Sequence, residues 1–102
     1  MTAQRPYNFA AMMRGADSGS AFLDTVRQIE QNGYTTAAMV DHFNPTYSPT
    51  PGLMAAAMAA PSMRVLATVY DNDFRNPVLL AKEIATMDQI SGGRVDFGLG
   101  AG

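Results

Sequence analysis

Short apolar runs alternate with stretches of helical periodicity along the whole chain, and this alternation limits the fold more than any single residue does. Strand-like runs occupy residues 7–13, 34–40 and 64–70, and a fourth begins at Arg94. Between them lie three segments just long enough for a turn, a helix and a second turn. A strand, a helix and a second strand make a parallel pair with a right-handed crossover. The sequence therefore predicts an α/β domain over residues 1–102, with parallel strands in the order β-α-β-α-β-α-β and no linker. Four such strands form either an open sheet or half of a closed barrel. An open sheet leaves two edge strands unpaired. Closure needs more chain, or a second copy.

The first helix is predicted over residues 20–32. Phe22, Leu23, Val26 and Ile29 recur at three- and four-residue spacing, with Asp24, Arg27, Gln28 and Glu30 facing out. Asn32-Gly33 ends it. The loop after the second strand carries Pro45, Pro49 and Pro51, which fix φ and predict a helix starting only at about Gly52 and running to Ala60. The run 64–70 is apolar apart from Arg64 and Thr68, as expected of a parallel strand covered on both faces. Asn76-Pro77 supplies a cap and a first-turn proline for a third helix reaching about Ile90. Ser91-Gly92-Gly93 ends that helix.

Composition excludes several classes. With 47% hydrophobic residues the 102-residue chain is too apolar for disorder. Seven Lys and Arg are scattered and the net charge is -2, which argues against a nucleic-acid surface. Cysteine is absent and His42 is the one histidine, so no disulfide and no structural zinc site is expected. The opening Met-Thr-Ala-Gln-Arg-Pro lacks the apolar core of a signal peptide, and no stretch is long enough to span a membrane. A cytoplasmic protein is the expectation.

Few residues can carry chemistry. Asp41-His42 ends the second strand, and barrel enzymes gather catalytic groups at the carboxyl ends of strands. Histidine suits proton transfer near neutral pH, and a neighbouring carboxylate can orient it; the bland alternative is a loop histidine with a structural hydrogen bond. Gly98-Leu99-Gly100-Ala101-Gly102 lets backbone approach a flat or anionic ligand. Its spacing is not the dinucleotide fingerprint, and a tight barrel turn explains it equally well. Asp71-Asn72-Asp73 has alternating oxygens but lacks the further ligands of a metal loop, so no metal site is expected. Met54 and Met58 read as packing residues. Met12 and Met13 suit either a pocket wall or core filling.

Taken together, Asp73-Phe74-Arg75-Asn76-Pro77-Val78-Leu79-Leu80-Ala81-Lys82-Glu83, then Ala85-Thr86-Met87-Asp88-Gln89-Ile90-Ser91-Gly92-Gly93-Arg94, then Gly98-Leu99-Gly100-Ala101-Gly102 resemble the bacterial luciferase-like monooxygenases. Gly33-Tyr34 and Val40-Asp41-His42-Phe43 match the second strand of the same family, and the deazaflavin branch dependent on coenzyme F420 is the most similar. The resemblance implies a TIM (β/α)8 barrel, of which this chain is the amino-terminal half. It implies coenzyme F420, or alternatively FMN, at the carboxyl mouth. It places Asp41 and His42 near the ring, with His42 the candidate catalytic proton donor or acceptor. Val69, Tyr70 and Asp71 resemble the segment where the family carries a non-prolyl cis peptide behind the ring. Gly100, Ala101 and Gly102 resemble the turn skirting its edge. The family's second half, with the loops that hold the cofactor's phosphate or tail, lies outside the resemblance.

The expected activity is hydride transfer between the cofactor and a small organic substrate. The competing expectation is a non-catalytic half barrel that pairs with itself or with a complementary half. A homo-oligomer, or such a pair, is expected on either reading.

Overall fold

The computed structural model describes residues 6–102; Met1 to Arg5, the stretch read for a signal peptide, lie outside the described residues. The elements are β1 (Ala10–Met13), α1 (Gly19–Gln31), β2 (Thr36–Met39), α2 (Pro49–Ala59), β3 (Arg64–Asp71), a 3-10 turn (Asn72–Phe74), α3 (Pro77–Ser91) and β4 (Val95–Gly100). The strands are all parallel and lie in the order β1-β2-β3-β4. Sequential order is the winding of a barrel; a doubly wound sheet reverses direction at a switch point. With every crossover of one hand, the three helices fall on one face of the sheet, where α1 packs on α2 and α2 on α3.

The core lies between that face and the helices. Ala37, Met39, Val65 and Ala67 of the strands meet Phe22, Val26, Leu53, Ala56 and Met87 of the helices, all nearly fully buried. Alternation puts the other residues of each strand on the opposite face. There the register aligns Met12, Ala38, Leu66 and Asp96 across all four strands. No described element covers this face, and Met12 is half exposed while Met13 is buried.

Several boundaries differ from expectation for local reasons. β1 starts at Ala10 rather than residue 7, because its one partner β2 begins at Thr36 and pairs with Ala10. α2 starts at Pro49, three residues early. The first N–H groups of a helix have no intrahelical acceptor, so prolines in that turn remove nothing the helix uses. Met54 packs against the core but Met58 turns outward to solvent. On α1, Glu30 faces away from the core yet accepts hydrogen bonds from the Ser62 backbone N–H (3.0 Å) and hydroxyl (2.7 Å), tying α1 to the start of β3. Asn76 caps α3 by accepting from the Val78 N–H, and Gly92 ends it in the left-handed conformation.

Arg94 supports the amino end of the sheet. It donates to the carbonyls of Ala57 (2.9 Å), Ala60 (3.0 Å), Met63 (2.7 Å) and Ser91 (2.7 Å), closing the carboxyl end of α2. Among the described residues no helix is long and apolar enough to cross a membrane.

Candidate functional site

The site begins where β2 and β3 end side by side. Asp41, two residues beyond β2, is almost fully buried. Its carboxylate accepts from the Asp71 backbone N–H at 2.9 Å and from both terminal nitrogens of Arg75, one of them at 3.1 Å. Burial alone would push this carboxyl up; the Arg75 hydrogen bonds, the Asp71 N–H and the positive charge beside it outweigh burial, and the net effect holds it below the usual carboxylate range. Asp41 hydrogen bonds hold the guanidinium of Arg75 correspondingly more basic. A bidentate Arg–carboxylate pair fixes orientation as well as charge.

Arg75 also lies over the ring of Tyr70, 4.9 Å from its centroid. Tyr70 is fully buried, and its hydroxyl meets the Thr50 hydroxyl at 2.8 Å, which in turn lies 3.4 Å from Glu83. Burial pushes the phenol up, against the opposing effect of the hydrogen bond with Thr50. The Tyr70 side chain therefore belongs to the helix layer; only its backbone reaches the mouth.

Val69 faces the other way. The Thr68–Val69 peptide is cis, and the β3–β4 register slips between Ala67 and Tyr70. Val69 is 43% exposed and lies against Gly98 and Gly100. A Cβ at Gly98 would run into the Ala67 carbonyl oxygen, and one at Gly100 into the Val69 side chain. The carboxyl end of β3 and β4 is thus a low floor of one valine and two glycines. Beyond it, Ala101 is exposed, and Gly102 approaches the Asp71 carboxylate so closely that a Cβ would lie 2.6 Å from an oxygen. The other task of that carboxylate is local: it accepts from the Asp73 N–H and caps the 3-10 turn.

His42 follows Asp41 but is exposed, and its imidazole makes no hydrogen bond among the described residues. The sequence suggested that Asp41 orients this ring. Instead the carboxylate is committed to Arg75 and the Asp71 N–H. His42 lines an open cavity of about 280 Å³ with Phe43, Asn44, Thr46 and Phe74, the Asp41–Arg75 pair forming part of its wall. Phe43 and Phe74 stack across it, ring centroids 4.5 Å apart. A second cleft of about 340 Å³ lies between α1 and α2, lined by Phe22, Leu23 and Pro51. Tyr47, which also lines it, donates its hydroxyl to the Ala16 carbonyl.

The structure thus brings together Asp41, His42 and the backbone of Tyr70 and Asp71, and beside them Val69 with Gly100. Sequence reasoning gave no role to Arg75 or Thr50. Arg75 sits inside a quoted motif, and its signal was available: one arginine in a polar loop beyond β3, next to a carboxylate ending β2.

The chain is similar to 5,10-methylenetetrahydromethanopterin reductase of Methanopyrus kandleri, 33% identical over 86 residues, which are 84% of this chain and 24% of that protein. The solved structure of the coenzyme F420 dependent tetrahydromethanopterin reductase from Methanopyrus kandleri superposes with a TM-score of 0.82 at 30% identity, over 93% of this chain and 27% of that one. A monooxygenase from Streptomyces bottropensis matches with a TM-score of 0.69 at 26% identity, over 81% of this chain and 28% of that one. The oxygenating constituent of 3,6-diketocamphane monooxygenase from Pseudomonas putida, solved with FMN, shares the fold at 20% identity and a TM-score of 0.76, over 93% of this chain and 29% of that one. The chain spans about a quarter of the length of these relatives, and its four strands correspond to part of their fold. The luciferase-like monooxygenase family model matches residues 5–102, and the chain belongs to that family.

Proposed function

We propose that this chain forms the amino-terminal part of the cofactor mouth of an F420-dependent oxidoreductase, with FMN the alternative cofactor. The observation that carries the reading is the low floor made by Val69, Gly98 and Gly100 at the carboxyl ends of β3 and β4. A planar ring needs a surface without projecting side chains, and this floor fits one. Val69, the backbone of Tyr70 and Asp71, and Gly100, Ala101 and Gly102 would line the ring. Asp41 would shape the wall through its fixed carboxylate. A bound deazaflavin supplies two-electron hydride transfer, whereas FMN supplies oxygen activation. His42 would give or take the proton at the substrate atom next to the carbon that exchanges hydride. The substrate is a small organic molecule, and the reductase relatives favour hydride transfer over oxygenation.

Binding is tested by titrating the chain with F420 and with FMN, following the absorbance and fluorescence of each. The expected result is preference for F420, at tens of micromolar as an order of magnitude for residues 1–102, because few charged side chains here can anchor a phosphate. Preference for FMN would overturn the F420 assignment. Catalysis is tested by His42→Ala in a chain carrying a complete barrel. Turnover should fall by ~10²–10⁴-fold, the usual contribution of a general acid or base, with cofactor affinity nearly unchanged. Turnover within about threefold of the parent, well short of that contribution, would remove His42 from the reaction.

A second reading, a non-catalytic half barrel, rests on the sheet face uncovered among the described residues and on the unpaired outer edges of β1 and β4. It expects self-association in sedimentation and no binding of either cofactor.

A further inference from the structure

We propose that Arg75 is a positioning residue for His42, acting through Asp41. The inference rests on His42 being the proton-transfer group for its kinetic consequence, but not for its structural one. Asp41 and His42 are adjacent, so whatever fixes one fixes the backbone of the other. His42 has no side-chain hydrogen bond among the described residues to hold it. Its position at the mouth is therefore set by its backbone, which is anchored at Asp41 by the side-chain contacts of that residue and at the His42 carbonyl by the Thr46 hydroxyl, which donates to it at 3.2 Å.

Three elements meet at the anchor. The Asp41 carboxylate joins the end of β2 to the end of β3 through the Asp71 N–H, and to the approach of α3 through Arg75. Arg75 is in turn held over the buried Tyr70 ring, whose hydroxyl is fixed by Thr50 of α2. The pair is largely shielded, with Arg75 18% and Asp41 7% exposed. A guanidinium suits this place because it is planar: it offers two parallel donors to the carboxylate while stacking on the ring. Lysine keeps the charge but offers neither the fork nor the stack. Catalysis requires reacting groups held to a fraction of an ångström, and a 1 Å misplacement costs on the order of 10²-fold.

His42 is the one histidine, so its imidazole resonances need no further assignment. The experiment compares the parent, Arg75→Lys and Arg75→Gln by NMR of that ring, and by steady-state kinetics in the full chain. In both variants the imidazole signals of the folded protein should move or split. The expected kcat per folded molecule falls at least tenfold in Arg75→Gln, with partial recovery in Arg75→Lys, while cofactor affinity falls by a smaller factor than kcat, because the floor of Val69, Gly98 and Gly100 is untouched. If Arg75→Gln does not fold, Arg75→Lys carries the test. Imidazole signals and kcat equal to the parent's in a folded variant would overturn the proposal and leave Arg75 a purely structural residue. Failure of the functional reading looks different: the parent binds no deazaflavin or flavin, while the imidazole signals still respond to Arg75.

Discussion

Two arginine–aspartate pairs sit at opposite ends of the same sheet; both are two-bonded forks, one side-on through Nε and Nη2 and one end-on through both Nη atoms, and they differ most in their surroundings. At the amino end, Arg64 forks onto Asp96 with two hydrogen bonds, at 2.9 and 2.8 Å. Its side chains are 44% and 46% exposed, and it lies on the uncovered face. At the carboxyl end, Arg75 forks onto Asp41 with its side chains largely shielded, and the same carboxylate also accepts a backbone N–H. An exposed pair exchanges protein partners for water at little gain. A shielded pair has little water to return to, so loss of one partner largely strands the other. Similar chemistry thus makes a surface ornament at one end and a structural joint at the other. The joint adjoins His42, at the end of the sheet where barrel enzymes build their active sites.

The comparison is broken most directly by removing one guanidinium at a time. Arg75→Gln should cost about 3–5 kcal/mol of stability, the usual penalty for stranding one partner of a buried pair. Urea denaturation reads it, and a loss under about 1 kcal/mol, the range of an exposed pair, would put both pairs in one class. Arg94→Ala comes next. Its four carbonyl acceptors lose a charged donor, at about 2–4 kcal/mol in total. Turnover per folded molecule should not change, because Arg94 lies at the end away from His42; a kinetic defect with stability intact would contradict the division of the sheet into two ends.

Acid sharpens the contrast. The Asp41 carboxyl is held below its ordinary value in the folded chain, by Arg75 and the Asp71 N–H against burial. A depressed folded value means that the stabilisation is fully present above the unfolded value, about 3.9, and is lost as pH falls through the folded one. Asp96 is likewise held low, mainly by the hydrogen bonds from Arg64, and contributes in the same direction. Below about pH 4, near the unfolded carboxyl value, Asp41→Asn should lose stability less steeply than the parent. Parallel curves for parent and variant would show that Asp41 is not protonated on unfolding in acid. The smallest effect belongs to Asp96→Asn at neutral pH, at most about 1 kcal/mol for a half-exposed pair. A loss of several kcal/mol, as from a buried pair, would mean that another surface covers that face.

Much of this site was legible in the sequence, and the rest was hidden for a definite reason. His42 was singled out by its place after an apolar run, and the glycines by their density. The caps of α3 were written in Asn76, Pro77 and Gly92. Adjacency in sequence suggested that Asp41 orients His42, while its carboxylate pairs with Arg75, 34 residues away. Tyr70 was placed behind the ring by the family resemblance of Val69, Tyr70 and Asp71; its side chain turns into the helix layer, and strand period alone does not set the face where the register slips. The start of α2 was missed because proline was read as a helix breaker without regard to which turn it occupies.

The alternation of elements, the strand direction that follows from it, and a histidine at a strand end are all readable along the chain. These are local: they depend on periodicity, capping and turn chemistry within about fifteen residues. Only the tertiary structure decided that Arg75 rather than His42 receives the Asp41 carboxylate, that Arg94 closes α2, and that Val69 covers two glycines of the neighbouring strand. Each of these joins residues some thirty apart in the chain. Hydrogen-bond forks and close backbone approaches are satisfied by whichever groups the register brings within 3 Å, and register is a property of strands already assembled.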